Sequence, residues 1–206
     1  MGKIAAAALG LLMLVAVLGS AGAGGLLSAF GSSGSKPSRA VLTDIPSDYL
    51  SLYMDAAATC PGLDWSVLAG IGKRESDHGR STLPGVPRGT KIEAGARGPM
   101  QFLLPTFQSV IAKHPPPKGG ATPPSPYNKQ DAIYAAAAYL CDSGTRAGKN
   151  IPGAIKTYNP DDSYVSQVLT HAQTYTSDTG FGADTTPTAA APAGDQLRPR
   201  PARTPL

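Results

Sequence analysis

Charge is scarce in this chain: Asp, Glu, Lys and Arg make up only 16% of its 206 residues. The balance is mildly positive, +4, and no Lys/Arg-rich run is interleaved with aromatics, so composition argues against a nucleic-acid partner. Cysteine is nearly absent. The pair present, Cys60 and Cys141, lacks the spacing of a metal site and has no His pair beside it. No alternating apolar pattern marks a strand between Ser47 and Tyr175, which leaves an all-α reading. Charge is missing altogether between Lys3 and Lys36.

That uncharged stretch opens with an Ala-, Leu- and Val-rich run from Ile4 to Leu18, and Ala21-Gly22-Ala23 offers an A-x-A cleavage site. Residues 1–25 therefore read as a signal peptide. The apolar stretch to Phe30 is also long enough to span, so an uncleaved membrane anchor is the alternative. Either way the chain is expected to be exported, secreted or held at the outer face of the membrane. In an oxidising compartment Cys60 and Cys141 are expected to form a disulfide, the alternative being two buried thiols.

Glycine and proline are abundant, 24 and 20 residues, and mark loops and linkers. Residues 26–43 read as a flexible Gly/Ser-rich spacer. Residues 177–206 read as a disordered Pro-, Thr- and Ala-rich tail, its Arg198, Arg200 and Arg203 inert rather than wall-binding. Between them, residues 44–176 form a single helical domain, expected as a monomer. Apolar spacing and capping residues predict helices from Ser47 to Pro61-Gly62, from Asp64 to Gly79, over 106–113, over 129–141, from Pro152 to Tyr158, and over 163–175. The stretches 83–98 and 114–126 carry many Pro and Gly and read as irregular loops.

Glu75 stands out within the second of these helices. Leu68, Ile71 and Glu75 fall at i, i+3 and i+7, so the carboxyl should emerge beside the buried face. Desolvation there is expected to favour its neutral form, as a general acid requires near neutral pH.

Three segments accompany one another along the chain: Glu75-Ser76 with Gly79-Arg80, Gly98-Pro99-Met100-Gln101-Phe102, and Ala154-Ile155-Lys156-Thr157-Tyr158-Asn159. In this order and at these separations they resemble the lytic transglycosylases of the lysozyme-like superfamily, over about 130 residues. The resemblance implies a goose-type lysozyme/transglycosylase fold and cleavage of the bond between N-acetylmuramic acid and N-acetylglucosamine in peptidoglycan glycan strands, without a cofactor or metal. Glu75 matches the catalytic acid/base. Met100 and Gln101 match the pair lining the sugar cleft, and Tyr158 and Asn159 the pair that approaches the glycan at the third motif. Ser76 matches a structural position. Their chemistry fits these roles, since Gln and Asn both donate and accept, and Met and Tyr offer apolar faces to a sugar ring. Phe107 reads as core.

Hydrolytic glycosidases usually need two carboxyl groups, whereas the resembled enzymes use one Glu first as acid and then as base, closing a 1,6-anhydro ring on the muramyl residue. Asp77 points away from the Glu75 face, so Glu93 is the one serious candidate for a second acid. A muramidase on the same fold, or a wall-binding module without activity, are the alternatives. The chain departs from the family pattern in three places. Leu104 precedes Pro105 where Pro usually follows Met-Gln-Phe-Leu directly. Residues 114–120 hold no acidic cluster, so no calcium is expected. Pro160 follows Tyr158-Asn159.

Overall fold

A computed structural model of the chain describes residues 34–90 and 95–176. The segments read as signal peptide or anchor and as C-terminal tail lie outside the described residues. Among those described, no helix is long and apolar enough to cross a membrane.

Three short polar side chains start the helices that matter most. Asp64 accepts from the amide of Ser66 at 2.9 Å and opens α3 (Trp65–Ser76). Asn128 accepts from Asp131 N at 3.2 Å to open α5 (Lys129–Leu140), and Asp161 accepts from Ser163 N at 2.8 Å to open α7 (Asp162–Tyr175). Each satisfies an amide that the first turn of a helix leaves unpaired. The remaining helices are α1 (Arg39–Asp44), α2 (Ser47–Ala58), α4 (Leu104–Lys113) and α6 (Ile151–Tyr158), with a proline in the first turn of both α4 and α6. The protein is therefore mainly α-helical.

α3 is the central element. Every residue from Trp65 to Gly72 is buried, as expected of a helix surrounded by others rather than lying on a surface. Its most extensive partner is α7. Gly70 permits the approach, because a Cβ there would lie 2.5 Å from the carbonyl oxygen of Val168. α2 and the Ala-rich α5 pack on α3 and on each other. The disulfide Cys60–Cys141, with Cα atoms 5.8 Å apart, ties the end of α2 to the end of α5. Beyond Cys141 the chain winds more loosely through Cys141–Thr145 before the loop to α6.

Three expectations need correction. A short antiparallel hairpin is present, β1 (Ala96–Arg97) paired with β2 (Phe102–Leu103). Two residues per strand are too few to show an alternating pattern, so the sequence did not reveal it. The second correction concerns the spacer, which is not free up to Thr43. The Trp65 indole donates to Ser35 O at 2.7 Å, Ser35 N donates to Asp64 at 2.8 Å, and Val41 of α1 is fully buried. A buried indole N–H needs a partner, and the chain before α1 supplies it. Helix α3 also stops at Ser76, short of Gly79. Asp77 (φ 52°), His78 (φ 54°) and Gly79 (φ 78°) turn left-handed in succession, and this turn drives His78 inward.

Candidate functional site

Glu75 lies in the last turn of α3 on the face of Leu68 and Ile71, both fully buried, and retains 7% exposure. Tyr164, in the first turn of α7, donates its hydroxyl to Glu75 Oε1 at 2.8 Å. The bond spans 89 residues of sequence and exists because α3 and α7 pack closely along their length.

The next residue links Glu75's helix to the hairpin. Ser76 Oγ donates to Pro99 O at 2.7 Å and accepts from Gly79 N at 2.7 Å, so one hydroxyl holds both the end of α3 and the hairpin turn. The turn itself is tight. Gly98 has φ 73°, and a Cβ there would sit 1.7 Å from Pro126 O, so only glycine fits. Gly98 O accepts from Gln101 N at 3.1 Å and from Gln101 Nε2 at 2.8 Å. Gln101 adopts φ 48°, a conformation that L-residues enter at some cost and that tends to be held at functional sites. From the other side, Tyr158 Oη donates to Met100 O at 2.7 Å. The three sequence segments thus meet through named hydrogen bonds: α3 at Ser76, the hairpin at Pro99 and Met100, and α6 at Tyr158.

Their side chains do not all face outward as expected. Met100 and Tyr158 are fully buried, and Tyr158 packs edge-on against Phe102 and Tyr139, with centroids 5.7 and 5.8 Å away. Both belong to the core and position the hairpin; neither lines an open sugar cleft. Phe107 packs on Phe102 in the same cluster, as a core residue. Gln101 is 8% exposed. Asn159 is half-buried, with its Oδ1 accepting from Asp161 N at 3.3 Å. Of the four residues expected on the substrate, Asn159 offers the most surface. Glu93 lies outside the described residues. Asp77 is engaged by Lys73 and Arg80, each at 2.7 Å.

Two features were missed in the sequence. Tyr164 opens the buried face of α7, ahead of Val165, Val168 and Ala172; the signal available was a hydroxyl at the start of that mostly aliphatic face. The other is a buried polar chain that begins three residues past Glu75. Tyr175 Oη donates to Asp44 at 2.5 Å, so it can only accept at its 3.2 Å contact with His78 Nε2. His78 therefore carries its proton on Nε2, and Nδ1 accepts from Tyr53 Oη at 3.0 Å. Burial pushes His78 down to about 4, which keeps the imidazole neutral at pH 7. Asp44 falls to about 2: its partial burial works in the opposite direction and is outweighed by bonds from Lys73, Tyr175 and Arg80. Tyr53, fully buried, is pushed far above the ordinary phenol range by desolvation. This network locks α1, α2 and α7 around the end of α3.

Among the described residues no three His, Cys, Asp or Glu side chains converge as a metal site requires. The arrangement instead offers one nearly buried carboxyl, oriented by a phenol, beside a turn fixed from two sides. No family model, curated protein or solved structure matches the chain.

Proposed function

We propose that the protein is an exported lytic transglycosylase of lysozyme-like fold that cleaves the glycan strands of peptidoglycan, with Glu75 as its acid and base. The observation that carries this reading is the convergence of the three motif segments on Glu75's end of α3, through Ser76–Pro99 and Tyr158–Met100. In the proposed reaction Glu75 protonates the glycosidic oxygen as the bond to the muramyl anomeric carbon breaks. The resulting carboxylate takes the proton of the muramyl C6 hydroxyl, whose oxygen closes on that carbon. One bond breaks, one forms, the proton returns to Glu75, and no water enters.

Tyr164 suits both halves of this cycle. A hydroxyl can donate to a carboxylate and can accept from a carboxylic acid, so one partner serves Glu75 in either state. The Cys60–Cys141 bridge is compatible with an oxidising destination.

The test is digestion of purified sacculi by the full chain, with mass spectrometry of the released fragments. Anhydro-muramyl ends are expected, and Glu75→Gln is expected to release none. Reducing ends, heavier by one water, would make the protein a muramidase. Binding to sacculi with no released fragments would make it a wall-binding module.

A further inference from the structure

A cleft of about 400 Å³ opens beside the hairpin, and Glu75 is not among its walls. Arg88, Arg97, Leu104, Ser125 and Tyr127 contribute to the lining, and the described lining includes no acidic side chain. Arg97 is half-buried in β1 and, among the described residues, its guanidinium has no hydrogen-bonded or ionic partner. Arg88, exposed, also lines the cleft, its Nη2 3.3 Å from Ser125 Oγ and its guanidinium carbon 5.8 Å from the centroid of Tyr127.

The loop 121–127, which also lines the cleft, is held by a buried polar side chain. Asp131, 1% exposed, accepts from Ala121 N at 3.0 Å and from Ser125 N at 2.9 Å. Gln130 Nε2 adds bonds to Pro117 O and Lys118 O, both 3.1 Å. The nearby carboxylate of Asp131 thus engages the loop's own backbone. Two guanidiniums therefore share the cleft with a fixed wall of Pro, Ser and Tyr, and no acidic side chain among the described residues lines it.

A half-buried guanidinium without a partner is poorly solvated, and a carboxylate is its best-matched ligand. The tyrosine and proline faces favour a carboxylate carried on an organic body over a bare inorganic ion. Arg97 also adjoins Gly98, at the base of the turn that carries Gln101, so the cleft borders the hairpin that holds that turn. We propose that this cleft binds the carboxylate of the arm that branches from the muramyl sugar, either its lactyl group or the peptide attached to it. The inference rests on the peptidoglycan reading above and adds to it a means of choosing charged over uncharged glycans.

The experiment measures binding by calorimetry to Glu75→Gln protein, with three soluble probes of equal glycan length: peptide-bearing strands, strands stripped of peptide by an amidase, and N-acetylglucosamine oligomers. Adding R88Q/R97Q is expected to weaken binding to peptide-bearing strands about tenfold and to leave the uncharged oligomers unaffected. An equal loss on stripped strands, where amidase cleavage has freed the lactyl carboxylate, shows that the cleft accepts either carboxylate; a loss confined to peptide-bearing strands identifies a carboxylate of the peptide itself. Should the pair fail to fold, R88Q alone, at an exposed position, is expected to weaken binding about threefold. Unchanged binding of both charged probes, or equal weakening on the uncharged oligomers, would overturn the proposal while leaving Glu75 chemistry intact. No binding of any probe by the Glu75→Gln protein, with no cleavage by the parent chain, would overturn the functional reading itself.

Discussion

Tyr164 Oη lies 2.8 Å from Glu75 Oε1, joining the start of α7 to the end of α3 across a contact in which both residues are almost buried. If Glu75 is the reacting group, Tyr164 is a positioning residue, and the two substitutions separate cleanly. Tyr164→Phe keeps the ring and removes the donor. A hydrogen bond to a charged group contributes about 1.5–3 kcal/mol, so turnover should fall roughly 10- to 100-fold. The fall belongs in kcat with KM little changed, and steady-state kinetics on soluble strands reads the split. A pure KM effect would place Tyr164 on the substrate instead.

Tyr158→Phe should behave differently from a substitution on the sugar. It leaves Met100 O without its donor inside the core, a loss of about 1–3 kcal/mol. The urea midpoint should drop accordingly, and activity should fall because the hairpin loosens. Asn159→Ala, at a half-buried position outside the core, should leave the midpoint nearly unchanged and raise KM. A stable but inactive Tyr158→Phe protein would return the hydroxyl to the substrate.

Stability should depend on pH through His78. Its folded value, about 4, lies below the unfolded value of 6.5, so below pH 6.5 the unfolded chain binds the proton first. The full stability is present above pH 6.5 and is lost as pH falls towards 4, by about 3 kcal/mol. Asp44 adds a further loss as pH falls from 3.8 through about 2. The charged groups around His78 are Asp44, Asp77, Lys73 and Arg80, and they act in both directions, so burial decides the sign. Denaturant titrations at several pH values should show this slope, and His78→Phe should flatten it between pH 4 and 6.5 while lowering stability at pH 7.5.

Replacing both Cys60 and Cys141 by Ala opens a loop spanning 81 residues. The chain-entropy account gives a loss on the order of 4 kcal/mol, read as a lower midpoint in urea. Because the bridge joins the ends of α2 and α5 rather than touching Glu75, activity per folded molecule should persist.

Glu93→Gln distinguishes the one-carboxylate reaction from hydrolysis. The proposed mechanism predicts that most activity survives and that the products keep anhydro ends. A protein as inactive as Glu75→Gln would assign Glu93 the second carboxyl's role.

Much of the helical order was legible, because caps and apolar stripes are local signals. Asp64 and Asn128 stand where helices begin, and Pro152 sits in a first turn. The burial of Glu75 could also be anticipated from its phase with Leu68 and Ile71. The hairpin could not, being two residues per strand, and neither could the order in residues 34–44, which depends on the distant Trp65 indole and on burial of Val41.

The sequence by itself determined the order of helices α2 to α7, the Cys60–Cys141 pair and the face on which Glu75 would lie, since each follows from residues within a few turns or from a choice with one partner. Tertiary structure alone decided which side chains surround that carboxyl. Tyr164 reaches Glu75 because Gly70 lets α7 approach α3, and Met100 and Tyr158 turn into the core because the hairpin is held there by Ser76 and by its own aromatic neighbours. Such contacts join residues tens of positions apart, and no local pattern encodes them.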